Sequence, residues 1–142
     1  MPDLTLRTSV IVGFPGETDW EFNDAYDFIA GLPVTDLHIF PYSRRPGTAA
    51  ATMPGQVPGD VSKARAEQLR ALAEHKHQRF AESFVNQVLE VIVETGTRQG
   101  LMKGISRNYL DLRFAADQSL TGQCVMARAV CREDRTLLAE LV

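Results

Sequence analysis

The apolar pattern of this 142-residue chain changes period near residue 85, and that change limits the folds open to it. Before the change, the uncharged run Ser9-Val10-Ile11-Val12 leads into Gly13-Phe14-Pro15-Gly16. Such a run predicts a strand buried on both faces, as in a parallel sheet. Thr18, with Glu21 three residues on, has the form of a helix capping box. Phe22, Ala25, Tyr26 and Ile29 follow at helical spacing, and Gly31 and Pro33 end the helix. Leu37-His38-Ile39-Phe40 predicts a second strand, which completes a βαβ unit with a parallel pair and a right-handed crossover. Residues 41–59 contain Pro41, Pro46, Pro54 and Pro58 with Gly47, Gly55 and Gly59, and predict a long functional or linking loop. Asp60 is placed to cap a helix that runs to about Phe84, with Leu69, Leu72, Ala73, Phe80 and Phe84 on its apolar face.

Beyond that point Leu89, Val91 and Val93 alternate with Val88, Glu90, Ile92 and Glu94, the period of a strand. Gly96 and Gly100 mark a turn, and short strands are predicted at 104–106, 109–114, 122–130 and 137–141. This spacing predicts a small antiparallel barrel or sandwich. The fold class is therefore α/β followed by all-β, with domains 1–84 and 85–142. The net charge of −3 lies in the first of these, and the second is neutral. That balance excludes a strongly basic coat as the basis of nucleic-acid binding. No apolar run approaches the roughly 20 residues of a membrane helix. Residues 1–5 have neither the basic nor the apolar segment of a secretion signal, so a cytoplasmic location without membrane contact is expected.

Candidate chemistry sits at the strand ends. Gly13–Thr18 joins the first strand to a helix N-terminus, where α/β sheets bind ligands. Glu17, Asp19 and Glu21 crowd that first turn and disfavour an anion, so a ligand with a cationic group fits better. A Gly-Pro turn with ordinary acidic capping accounts for the same residues. The P-loop pattern is absent. Arg44 and Arg45 follow the second strand and suit phosphate groups, or serve as a solvated loop. His38 reads as a core or lining residue, and His75 and His77 lack metal-site spacing. Cys124 and Cys131 form no CxxC pair and are expected to be free, mostly buried thiols. In the second domain Arg98, Lys103, Arg107, Arg113, Arg128, Arg132 and Arg135 are available to RNA, with Tyr109 and Phe114 as stacking groups. Alternation puts those two aromatics on opposite faces, so one of them belongs to the core.

Three stretches carry a resemblance. Thr8-Ser9-Val10-Ile11-Val12-Gly13-Phe14-Pro15-Gly16-Glu17-Thr18, Leu37–Thr48 and Met53–Pro58 resemble the late part of the radical S-adenosylmethionine (SAM) barrel of tRNA methylthiotransferases. Residues from about Asn86 to Val142 resemble the TRAM domain, an OB-like barrel, that ends those proteins. Leu89–Glu94, Gly104–Tyr109 and the stretch from Gly122 are the most similar. The His-Ile-Phe-Pro-Tyr-Ser form is most similar to the branch that acts on threonylcarbamoyladenosine at position 37 of tRNA. The branch acting on isopentenyladenosine is the alternative.

The resemblance implies a methylthio group placed on C2 of the adenine, with SAM and two 4Fe-4S clusters as cofactors and tRNA as partner. It implies that Ile11, Val12 and Gly13 line the adenosyl side of SAM, with Phe40, Pro41 and Tyr42 on the neighbouring strand end. Arg44, Arg45, Lys103, Arg107 and Arg113 are the implied RNA contacts. The family's CxxxCxxC triplet is absent from this chain, so no metal site and no activity are expected of it alone. Two rival readings are a stand-alone RNA-binding module and a small α/β domain with an unrelated ligand.

Overall fold

The computed structural model describes residues 3–96 and 100–142, so Arg98 lies outside the described residues. The chain divides into two compact units. One is Leu6–Lys76, and the other joins the residues up to Thr5 with His77–Val142.

In the first unit, strand β1 (Arg7–Val12), helix α1 (Asp19–Gly31) and strand β2 (Asp36–Pro41) form the expected parallel βαβ pair. The register sets Ile11 beside Phe40 and Val12 beside Pro41. Thr18 caps α1 in a full capping box with Glu21. The last turn of α1 carries no basic side chain of its own. Lys76 supplies one from helix α2 (Gly59–Glu82), donating to the carbonyls of Ala30 and Leu32 at 2.9 and 2.8 Å. The core of this unit joins Val12, Leu37, Phe22 and Ile29 to Ala66, Leu69 and Ala73 of α2.

Four expectations for this unit change. β1 is not buried on both faces, because Val12 is enclosed while Ile11 is 59% exposed. The buried residues of α1 and α2 pack with Val12 and Leu37, so alternate positions of β1 are left to solvent. Ala25 is likewise exposed, and α1 buries Phe22 and Ile29 only. The 41–59 loop contains a 3-10 turn at Ala49–Thr52, and Asp60 lies inside the first turn of α2 rather than ahead of it.

In the second unit, β3 (Val88–Gly96), β4 (Met102–Ser106), β5 (Asp111–Phe114), β6 (Cys124–Glu133) and β7 (Thr136–Leu141) form a closed barrel in the order β3-β4-β5-β7-β6. Four of its pairings are antiparallel, but β5 and β7 run parallel, which corrects the purely antiparallel expectation. A β-bulge between Ala129 and Cys131 shifts the β6–β7 register. Val91, Val93, Leu112, Phe114, Ala127, Ala129 and Leu137 fill the interior, joined by Ala81 and Phe84. Phe114 is thus the core member of the two aromatics, and Tyr109 is the exposed one.

Both cysteines are free, as expected, but exposed rather than buried. Cys124 pairs with Ile92, and the alternation that turns Val125, Ala127 and Ala129 inward turns Cys124 outward. Among the described residues no helix is long and apolar enough to cross a membrane.

Gly104 lies where β3 and β4 approach closely. A Cβ there would collide with Val91 Cγ1 and approach the Ile92 carbonyl oxygen to 2.8 Å. Gly104→Ala is therefore expected to destabilise the barrel by about 1–3 kcal/mol in denaturant unfolding. A change within about 0.5 kcal/mol would contradict this packing.

Candidate functional site

The Gly13–Thr18 turn is built by a side chain that its own sequence does not reveal. Arg65 of α2 is 5% exposed. Its guanidinium donates to the Glu17 carbonyl at 3.2 Å and to Asp19 Oδ1 at 2.6 Å, and it lies 3.5 Å from Glu17 Oε2. It also stacks over the Phe22 ring at 5.3 Å. The Glu17 carboxylate in turn accepts from the Gly13 and Phe14 backbone N–H groups. Thr18 N–H and its hydroxyl bind the Glu21 carboxylate and hold its pKa below the ordinary 4.5.

This arrangement alters the electrostatic reading of the turn. Glu17 and Asp19 share Arg65, whose single positive charge offsets one of their two carboxylates, so the turn is less acidic than its sequence suggests. The Gly13 and Phe14 amides are occupied, so they do not form an anion cradle. Gly13 adopts φ +73°, and an added Cβ would strike the Ser62 side chain. Helix packing therefore requires this glycine without any ligand. Arg65 was legible only as one of many charges on a helix, because its partners lie 46 and 48 positions away.

The structure brings Ile11, Val12 and Gly13 alongside Phe40, Pro41 and Tyr42 at the C-terminal ends of the two strands. The Tyr42 N–H donates to the Val12 carbonyl at 2.8 Å. The Tyr42 ring meets Phe14 edge-on at 5.4 Å, and its buried hydroxyl has no hydrogen-bond partner among the described residues. Ile11 and Phe40, paired across the two strands, leave an exposed apolar surface at this sheet end. His38 is exposed and stacks on Phe40. A four-iron cluster is held by cysteine thiolates. This chain has two cysteines, both on β6, and among the described residues no three candidate ligands cluster. The residues present do not fit an iron–sulfur cluster.

Arg44 and Arg45 are exposed in the loop after β2. In the barrel unit, Lys103 and Arg113 pair across β4 and β5, and Arg107 lies in the turn between those strands. Arg113 makes only a 4.0 Å contact with Glu133. A hollow of about 310 Å³ beside the turn is lined by Ile92, Ile105, Tyr109 and Cys124, with Glu90 and Arg107 at its polar side.

Known proteins can be set beside this geometry. The chain is 36% identical over 132 residues to the threonylcarbamoyladenosine tRNA methylthiotransferase MtaB of Bacillus subtilis, covering 90% of the chain and 29% of that protein. It is 38% identical over 144 residues to a tRNA-2-methylthio-N(6)-dimethylallyladenosine synthase of Moorella thermoacetica, covering 100% of the chain and 32% of that protein. The corresponding synthase of Acetivibrio thermocellus is 37% identical over 130 residues, 90% of the chain and 27% of that protein. The chain is homologous to one part of the tRNA methylthiotransferases. It spans about a third or less of the length of these curated relatives. No family model matches it.

Arg65→Met removes the charge that Glu17 and Asp19 face. It is expected to destabilise the first unit by about 2 kcal/mol, less than for a fully buried pair because Asp19 is exposed. Hydrogen exchange at the Gly13 and Phe14 amides should speed up with it. Unchanged exchange at both amides would contradict the clamp.

Proposed function

We propose that residues 1–84 are the C-terminal segment of a radical-SAM barrel and that residues 85–142 are its TRAM-like RNA-binding domain. The parent enzyme would add a methylthio group to C2 of N6-threonylcarbamoyladenosine at position 37 of tRNA, in the cytoplasm. The observation that carries this reading is homology along nearly the whole chain to two kinds of tRNA methylthiotransferase. The threonylcarbamoyl branch is preferred for the form of His38–Ser43, with the dimethylallyl branch as the alternative.

In this reading Ile11, Val12, Gly13, Phe40, Pro41 and Tyr42 provide one wall for SAM. Ile11 and Phe40 would offer an exposed apolar surface. SAM and two 4Fe-4S clusters would be held by the parent enzyme and would supply its radical chemistry. The cysteine content supports an inactive fragment. Anaerobic incubation of the chain with iron and sulfide should give no stoichiometric cluster absorbance. A full cluster complement would contradict this part of the proposal.

Arg44, Arg45, Lys103, Arg107 and Arg113 are proposed to contact RNA phosphates. A second reading, an RNA-binding module without catalysis, is favoured by one feature. The barrel closes on its own strands and needs no other part of a catalytic domain to complete its sheet. Both readings predict tRNA binding that weakens with salt. Replacing Lys103, Arg107 and Arg113 by Gln should flatten the logarithmic salt dependence by roughly 1 per lost phosphate contact. An unchanged slope and affinity in the triple variant would reject the RNA reading.

A further inference from the structure

We propose that the turn between β4 and β5, Ser106 to Leu110, docks a single unpaired RNA nucleotide, with the Tyr109 ring as its stacking surface. This rests on the RNA-binding reading of the barrel and adds the class of nucleotide and the residue that receives it.

Among the described residues, the non-glycine positions with positive φ are Asn86, Tyr109 and Asp134. Asn and Asp tolerate the left-handed region, but a bulky aromatic does not do so without cost. Tyr109 sits there at φ +60° with its side chain in solvent, 66% exposed. Burial of the ring therefore offsets little of the strain. The turn imposes the conformation through a tight set of hydrogen bonds. Tyr109 N–H donates to the Ser106 carbonyl at 2.9 Å, and Ser106 N–H donates to the Leu110 carbonyl at 2.9 Å. Leu110 N–H donates to Ser106 Oγ at 2.9 Å, and Leu110 itself is buried. An Asn or Gly would meet this geometry more cheaply, yet the position presents a flat, rigidly mounted ring.

The surroundings match a nucleotide. Ile92 and Ile105 are cross-strand partners and extend an apolar surface beside the ring in the 310 Å³ hollow. Arg107 borders that hollow and also a second cleft of about 580 Å³ that Asn108 lines. Ser106 Oγ accepts from Leu110 N–H and gives its own proton to Asn108 Oδ1 at 2.6 Å. That orients the Asn108 amide, whose enclosed Nδ2 has no hydrogen-bond partner among the described residues. Lys103 and Arg113 supply positive charge on the same two strands. Glu90 opposes it locally, so the site favours one base and its adjoining phosphate over a run of phosphates. A peptide partner that adds a strand is disfavoured because the closed barrel offers no free edge. A base within a duplex has no free face to stack, so the nucleotide must be unpaired.

The test uses the 142-residue chain with a short single-stranded RNA and a blunt duplex of the same sequence. Tyr109→Asn should raise the thermal midpoint by relieving the backbone, yet weaken single-strand binding about 10-fold. Tyr109→Phe should keep affinity within about two-fold, because stacking survives loss of the hydroxyl. Duplex binding and the salt slope should stay as in the parent chain, since no phosphate contact is lost. Single-strand affinity within about two-fold of the parent in both Tyr109→Asn and Tyr109→Ala would overturn the proposal while leaving charge-based binding intact. If the triple Lys103, Arg107 and Arg113 variant also binds like the parent, the RNA reading itself fails and this site fails with it.

Discussion

The parallel pairing of β5 with β7 closes the barrel, and the functional positions of that unit take their orientation from it. Closure gives every strand two neighbours and removes the open edges that would otherwise invite strand addition. It also divides each strand strictly into inner and outer residues. Leu112 and Phe114 turn in, and Arg113 between them turns toward solvent beside Lys103. Gly104 allows β3 and β4 to approach closely, and the Ser106–Leu110 turn follows two residues later. The exposed ring of Tyr109 is thus a consequence of barrel geometry, held by a serine and a buried leucine rather than by its own packing.

A different device governs the other unit. A turn rich in carboxylates lies at the ends of β1 and α1, and a single buried guanidinium holds it. Arg65 satisfies the Glu17 carbonyl and carboxylate, and Glu17 satisfies two backbone amides. The loop is therefore rigid without a ligand. Its exposed surface at the strand ends is the apolar one of Ile11 and Phe40, and the Gly13 and Phe14 amides are already occupied.

Much of the local structure was legible in the sequence because it depends on near neighbours. The capping box at Thr18 and Glu21, the parallel pair and the alternation of β3 are all set by short spacings. Features set by distant partners were not legible. The β5–β7 pairing, the Arg65 clamp and the exposure of Ile11 each depend on which elements meet, and period alone is silent on that. The cysteines misled because thiols are commonly buried, whereas strand alternation from Val125 to Ala129 fixed Cys124 outside. Of the candidate site, the residues on β1 and β2 could be grouped from sequence, whereas the pairing of Lys103 with Arg113 came only with the β4–β5 register. The unusual backbone of Tyr109 could not, because nothing in Arg-Asn-Tyr-Leu signals which residue takes positive φ.

The central claim is that the barrel unit grips RNA through the β4–β5 side of its surface. Amide chemical-shift mapping of the labelled chain during titration with unmodified tRNA tests it most directly. The account predicts the largest perturbations at Lys103, Arg107 to Tyr109 and Arg113, with the buried strands Val125–Ala129 little changed. Saturating tRNA that leaves those amides unmoved, or that perturbs only α1, would contradict it.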